Sequence, residues 1–438
     1  MRVAILFATT KSDGGIYQYA LTLVHAIERL RQEVSHDDFV LLFPNPRQEL
    51  PSSLRQRGWT VLPLSHPPTK GIGTVLRRLV GEGPHREAWR AFRRRWLRHQ
   101  QPDAPTSGLA SIRYRADLTS WWRQQGIELV IYPQPNPLAF EAGIPSIVAI
   151  HDLQHRLQPE FPEVSAYGEW GRREYVLRNC ARHATTVLVD SELGKEQLLF
   201  FYGSYGVTAD RVQVLPFLPA STLPRDLPAT RQREIRSTYA IPERYVFYPA
   251  QFWPHKNHAR IIEALERLKR FSGVRVPAVF CGSHADPVRK GHYQLLLNIA
   301  RDCGVEDQIT VLGYVPDEHL SALYSGAVAL VMPTFFGPTN IPVLEAWALG
   351  CPVLTSDIPG IREQAGDAAL LVDPRSADAL ANAMLRLWSS EELRKDLIER
   401  GKQRLSSYTP EHYRRRLREI LADTEARSEP QRPPRPRV

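Results

Sequence analysis

Cysteine and methionine are scarce in this chain, with four of the first and three of the second in 438 residues. Cys180, Cys281, Cys303 and Cys351 are scattered and form no Cys-x-x-Cys pair. That excludes a disulfide-stapled scaffold and a thiolate zinc site, and suits reduced thiols in a cytoplasmic protein. No window approaches the ~18 consecutive apolar residues of a membrane span. The apolar N-terminus leads into a glycine turn without a small-residue cleavage site, so it reads as a first strand rather than a signal peptide. No Gly-x-Gly-x-x-Gly follows that strand, which removes the dinucleotide fingerprint.

Positive charge and proline are plentiful. The net charge is +9 and there are 36 prolines. Such a balance favours anionic partners, phosphate or acidic lipid among them, but no nucleic-acid recognition motif accompanies it. A chain of 438 residues exceeds the size of one core, so two domains are expected. Residues 70–99 are rich in arginine interleaved with Leu79, Val80, Trp89, Phe92 and Trp96. They read either as a helix lying peripherally on an anionic membrane surface or as an ordinary helix with a solvated basic face. The Pro/Arg-rich tail, 424–438, reads as disordered.

Short apolar runs alternate with helical patterns along both halves. Val3–Phe7 is followed by Gly14 and Gly15, then by a helix with Tyr17, Leu21, Val24 and Ile27 on one face. Ser146–Ile150 ends in His151 and Asp152, placing both side chains at the carboxyl edge of a strand. The expected fold is α/β, two Rossmann-like doubly wound domains with a cleft between them. The first domain covers 1–220, a Pro- and Arg-rich linker 221–235, and the second domain 236–408, with a basic helix over 409–423 able to pack back on the first.

The stretch Met332–Asp357 is the most informative. A strand end breaks into a loop, a helix starts at Ile341, and a second strand begins at Pro352. Asn340 suits the N-cap, Pro342 the first turn and Gly350 the C′ position. The helix N-terminus, with free N–H groups and a positive dipole end, is a natural phosphate site. Glu345, one turn in, reads either as a solvated carboxylate or as an acceptor for a diol.

Taken in order, Pro254-His-Lys256-Asn257, Gly313-Tyr-Val315-Pro, Ile341-Pro-Val-Leu-Glu345-Ala, Leu349-Gly350-Cys-Pro-Val and Pro359-Gly360 resemble the GT-B glycosyltransferases, with the retaining, nucleotide-sugar-dependent family 4 fitting best. The resemblance implies that Lys256 binds the donor diphosphate and Glu345 the nucleotide ribose. It implies backbone N–H contacts to phosphate from Asn340 and Ile341, with Pro342 beside them in the donor site, and a nucleobase held near Tyr314 and Val315. Gly14 and Gly15 would border donor phosphate and acceptor, and His151 would contact the transferred sugar. Gln251 and Gly282 would join the donor site, and catalysis would fall to Lys256, His151 and Glu345. The donor would be a nucleotide sugar, for which the resemblance leans to GDP-mannose, and the acceptor a glycan or lipid-linked glycan.

Two positions depart from the family pattern. Gly337 stands where a second glutamate is usual, and Gln251 where an arginine is usual. A nucleotide-sugar epimerase on the same fold and a non-catalytic sugar-nucleotide-binding relative therefore stay open. Asp-x-Asp occurs nowhere, so a carboxylate clamp for a metal has no support in the sequence. His255 and His258 lack a further ligand nearby, and His255 reads as loop structure. No cofactor is implied.

Overall fold

The computed structural model describes residues 1–33, 38–44, 54, 58–64, 112–283 and 287–428. The basic stretch 70–99 and the tail beyond residue 428 lie outside them. In the first half, β1 (Arg2–Leu6), β2 (Asp38–Phe43), β3 (Thr60–Pro63), β4 (Leu129–Tyr132), β5 (Ser146–Ala149), β6 (Thr186–Val189) and β7 (Val212–Val214) form one parallel sheet in the order β3-β2-β1-β4-β5-β6-β7. In the second, β8 (Val246–Pro249), β9 (Ala278–Cys281), β10 (Ile309–Val311), β11 (Ala329–Met332), β12 (Val353–Ser356) and β13 (Leu370–Val372) follow the order β10-β9-β8-β11-β12-β13. Helices cover both faces of such sheets, which is why the central strands are continuous apolar runs rather than alternating ones.

The helices that bear on function are α1 (Gly15–Glu33), α2 (Glu169–His183), α3 (Glu192–Tyr202), α4 (Ala229–Thr238), α5 (Asp317–Gly326), α6 (Ile341–Ala348), α7 (Pro359–Ala365), α8 (Ala377–Ser389), α9 (Glu391–Leu405) and α10 (Pro410–Ser428). Tyr17, Leu21, Val24 and Ile27 of α1 are buried, as the helical spacing predicts. The segment read as a linker is non-helical, with a turn at Ala220–Leu223, only as far as Pro228. From Ala229 it is helical, and α4 is anchored by the buried Ile235. The composition of residues 424–438 suggests disorder, yet α10 continues to Ser428. Thr424 is fully buried there and meets the Thr186 hydroxyl at 2.7 Å. Tyr413, Leu417, Ile420 and Leu421 carry α10 into the core that also holds α1 and β1. The chain thus crosses between the domains twice, outward through 215–228 and back between α9 and α10.

Each sheet reverses its strand order once, between β1 and β4 and between β8 and β11. Loops leaving the carboxyl ends of those strands splay apart, and ligands of open α/β sheets bind in the crevice that results. Both crevices open toward the space between the domains.

Candidate active site

The loop after β8 carries Lys256 in a single 3-10 turn, Pro254–Lys256. Asn257, in the left-handed conformation at φ 60°, ends that turn and ties it down. Its amide donates to the carbonyls of Pro333 and Pro374, both at 2.8 Å, so the loop is bolted to the ends of β11 and β13. The Tyr248 hydroxyl donates to the Lys256 carbonyl at 3.0 Å. The lysine is thereby held at the switch point rather than left on a mobile loop. Burial pushes its ammonium down to about 8, while the carboxylates of Asp152 and Glu163 pull the other way.

The loop after β11 runs to Asn340 and into α6. Asn340 does not cap this helix with its side chain, as the sequence suggests it should. Instead Gln364 of α7 grips its backbone from both sides, accepting from the N–H and donating to the carbonyl, each at 2.9 Å. In the first turn of α6 Pro342 has no N–H and Val343 donates to the Asn340 carbonyl at 3.3 Å, which leaves the Ile341 N–H facing the cleft. Gly350, at φ 67°, does follow the helix end as expected. Glu345 is buried, and the Tyr324 hydroxyl donates to its carboxylate at 2.9 Å. Burial pushes Glu345 up to about 7; Tyr324 opposes the shift and Asp317 adds to it. It is therefore no solvated surface carboxylate. Gly282 packs on the same loop system, where a Cβ would lie 2.2 Å from the Ala250 carbonyl oxygen. Val315 is buried in the second core, whereas Tyr314 is exposed beside it.

The glycine turn of the first domain meets these elements directly. Gly14 sits at φ 61°, and a Cβ there would stand 3.3 Å from Gln251 Nε2; one on Gly15 would stand 3.7 Å from Ile341. The left-handed φ at Gly14 favours glycine, and the turn lies within side-chain contact of the second domain at both positions. His151 follows β5 and points back to the switch point of the first sheet. Its Nε2 donates to the Pro133 carbonyl at 2.9 Å, which leaves Nδ1 as the lone pair. Tyr19 and Phe217 pack around the ring, and burial lowers its pKa, so the imidazole is neutral at pH 7. Asp152 beside it stays ionised: burial raises its pKa, but Arg173 at 3.3 Å holds it down.

Several cleft residues carry no role in the sequence reading. His255 is more than loop structure, because its Nδ1 meets the Glu163 carboxylate of the first domain at 2.6 Å. Burial pushes the imidazole down to about 4, so a neutral His255 donates to an ionised Glu163. The Thr339 hydroxyl donates to Asp190, whose carboxyl burial pushes up to about 7. Gln158 donates to the Phe335 carbonyl at 2.9 Å. Glu363 of α7 caps the start of α3 in the other domain, accepting from the N–H groups of Glu192 and Leu193 at 3.0 and 3.1 Å. Asp190 directly follows β6, the same strand-end signal that singled out His151. Nothing in sequence separates Glu163 or Thr339 from surface residues, because their partners lie far off in the chain.

The sequence profile of Glycosyl transferases group 1 matches residues 231–404, the second domain. The chain is 26% identical over 284 residues to the O-antigen chain mannosyltransferase B of Escherichia coli, covering 64% of this chain and 71% of that one. It is 29% identical over 198 residues to a GDP-mannose-dependent alpha-(1-6)-phosphatidylinositol monomannoside mannosyltransferase of Mycobacterium tuberculosis, covering 43% of this chain and 49% of that one. The crystal structure of Anabaena Alr3699/HepE in complex with UDP and glucose superposes with a TM-score of 0.68 at 16% identity, over 96% of this chain and 99% of that one. The whole chain thus has the GT-B fold, and its second domain carries the Glycosyl transferases group 1 profile.

In this chain Gly337 has a local cause. Its φ of 145° lies where side chains are rarely tolerated, and a Cβ would come within 2.5 Å of the Asn340 amide. With the backbone of Asn340 gripped by Gln364, that side chain has little room to yield. Introducing an acid there as Gly337→Glu is expected to destabilise the protein by about 1–3 kcal/mol, read as a lower denaturation midpoint. Among the described residues, no three His, Cys, Asp or Glu side chains converge as a metal site requires. Within the same residues, no helix is long and apolar enough to cross a membrane.

Proposed function

We propose that this chain is a family 4 glycosyltransferase that moves a hexose, with retention of anomeric configuration and without a metal, from a nucleotide sugar to a glycan or lipid-linked glycan. GDP-mannose is the donor favoured, because the Escherichia coli and mycobacterial relatives are mannosyltransferases by name. One observation carries the reading. The switch points of both sheets face each other at contact distance, with Lys256 and Glu345 on one side and Gly14, Gly15 and His151 on the other.

In this reading the donor diphosphate lies between Lys256 and the start of α6, where Ile341 offers its backbone N–H and the positive end of the helix dipole adds to it. As the bond from sugar to phosphate breaks, negative charge grows on the leaving diphosphate. Lys256 and the helix N-terminus are already aimed at it, so stabilisation needs no rearrangement at the moment of reaction. Glu345 accepts from the ribose hydroxyls, and Tyr314 and Val315 border the base. His151, neutral and braced by Pro133, presents Nδ1 toward the sugar. The acceptor attacks on the side the diphosphate leaves, and the departing phosphate takes its proton.

Donor recognition needs Glu345 ionised and Lys256 protonated in the free enzyme. With Glu345 near 7 and Lys256 near 8, kcat/KM is expected to fall on the acid side through protonation of Glu345 and on the alkaline side through loss of the Lys256 charge. The profile is then a narrow bell between those values, and a flat profile across that range contradicts the assignment. The activity itself is tested by incubating GDP-, UDP- and ADP-sugars with lipid-linked acceptors and reading the product's anomeric configuration by NMR. Retained configuration in a transfer product supports the reading. Epimerised free sugar without acceptor indicates the epimerase, and donor binding with no turnover the non-catalytic relative.

A further inference from the structure

A second cavity, of about 710 Å³, lies on the hinge side of the molecule, apart from the donor cleft. Its walls come from α1 and α10 of the first domain, α6 and α9 of the second, and both chain crossings. His25, Arg29, Arg225, Lys402 and Arg414 line it, and none of its lining residues is acidic. Arg414 is shared with Glu33 at 3.6 Å and Glu411 at 3.4 Å, and Lys402 reaches Glu399 only at 3.8 Å. Arg29 meets the neutral amide of Gln32 at 3.4 Å, and neither it nor Arg225 has a carboxylate within 4.0 Å among the described residues. Arg29 and Arg225 therefore share one concavity without carboxylate partners, beside Lys402 and Arg414, whose partners lie at 3.4–3.8 Å. Such a set repels itself until a counter-ion enters, and the focused field draws that ion in.

The rest of the lining limits what the anion can be. Ser221, Ser406 and Thr409 offer hydroxyls, while Leu218 and Tyr408 supply apolar surface. The volume falls in the range of small-molecule sites, roughly 300–1,000 Å³. Arginine forks beside a lysine point charge suit the three oxygens of a phosphate better than a single carboxylate. We propose that this hinge cavity is a regulatory site for a phosphomonoester carried on a sugar-sized or glycerol-sized body.

The placement explains how occupancy reaches the donor cleft. Helix α1 begins at Gly15 in the cleft and presents His25 and Arg29 to the cavity further along. Helix α6 begins at Ile341 in the cleft and ends with Trp347 and Ala348 at the cavity wall. At 1.5 Å per residue these helices act as rigid levers on the order of 10–20 Å long. A ligand gripping α1, α9 and both crossings together binds one interdomain angle better than others, and so changes donor affinity by its differential affinity for the two. The regulatory part rests on the donor cleft proposed above; the binding part does not.

The test uses the full chain with two probes, mannose 6-phosphate in solution and phosphatidylcholine vesicles carrying phosphatidic acid. Arg29→Glu combined with Arg225→Glu reverses two exposed charges outside the donor cleft, so basal transfer and melting temperature stay at wild-type values. Calorimetry is expected to show binding of mannose 6-phosphate to the wild type and at least roughly tenfold weaker binding to the double variant. Lys256→Ala binds this probe as the wild type does. Binding only to the phosphatidic acid vesicles, lost in the same double variant, supports the site with a lipid headgroup as its source. Failure of both probes, equal binding by the double variant, or loss of binding in Lys256→Ala overturns the site. Donor affinity unchanged at saturating probe overturns the regulation and leaves the site.

Discussion

Lys256→Ala is expected to lower the transfer rate by about 10²–10³-fold while the protein stays folded. The size follows from what the lysine does alone. It is the only cation this reading sets against the leaving diphosphate, because Gln251 stands where the family's arginine would share the load. Gln251 is committed elsewhere, accepting from the Trp253 indole at 2.9 Å and packing against Gly14. Stability should not suffer. Burial depresses the lysine's pKa to about 8, below its unfolded value, so at pH 7 the folded state carries an ammonium it would rather not hold. The variant's melting temperature at pH 7 is then no lower than the wild type's. A variant that melts early, or that keeps full transfer, contradicts the role. Lys256→Arg keeps the charge but not the point-like ammonium, and is expected to recover only part of the rate.

Glu345→Gln is expected to separate function from stability in opposite directions. A ribose diol that loses an ionised acceptor loses about 1.5–3 kcal/mol, so donor affinity falls roughly tenfold to a hundredfold. The fold gains. Glu345 sits near 7 when folded, above the ordinary carboxylate range it returns to when unfolded. A raised carboxyl contributes its full stability below the unfolded pKa and loses it as pH rises through the folded one. Above pH 7 the wild type therefore carries a penalty of roughly 3 kcal/mol that glutamine does not. Thermal melts should show the variant more stable near pH 8 and equal to the wild type near pH 4. The Tyr324 hydroxyl can still donate to the amide oxygen, so no buried donor is orphaned. Equal melts at pH 8 would show that Glu345 is not strained by its burial.

Much of this was legible in the sequence because parallel α/β architecture writes itself locally. Short apolar runs can only be doubly covered strands, and a polar residue at the carboxyl end of one falls into the crevice. His151 was singled out that way and Gly14–Gly15 by the turn they make, whereas Glu345 stood out by its place one turn into a helix and Lys256 only by the resemblance. What was not legible depends on how the domains meet. The Glu163–His255 clasp, the Thr339–Asp190 contact and the Glu363 cap on α3 join residues far apart in sequence, and none shows a periodicity. Asn340 failed as a side-chain cap because Gln364 claims its backbone from both sides, a tertiary override of a local preference. The linker was mistaken over 229–235 for a similar reason. Its arginine-rich composition looks unstructured, yet the single buried Ile235 and ion pairing of Arg231 with Glu318 at 2.9 Å hold it as helix. Gly337 looked like a lost acid in sequence and proves to be a backbone requirement.

The central claim is that one donor bridges both switch points across the cleft. Amide hydrogen exchange, measured with and without GDP-, UDP- and ADP-sugars, tests it most directly. The account predicts that at least one nucleotide sugar slows exchange together at the Gly14–Gly15 turn and the start of α1, at residues 254–257, and at the start of α6. Protection confined to one domain, or found only at the hinge cavity, would contradict it.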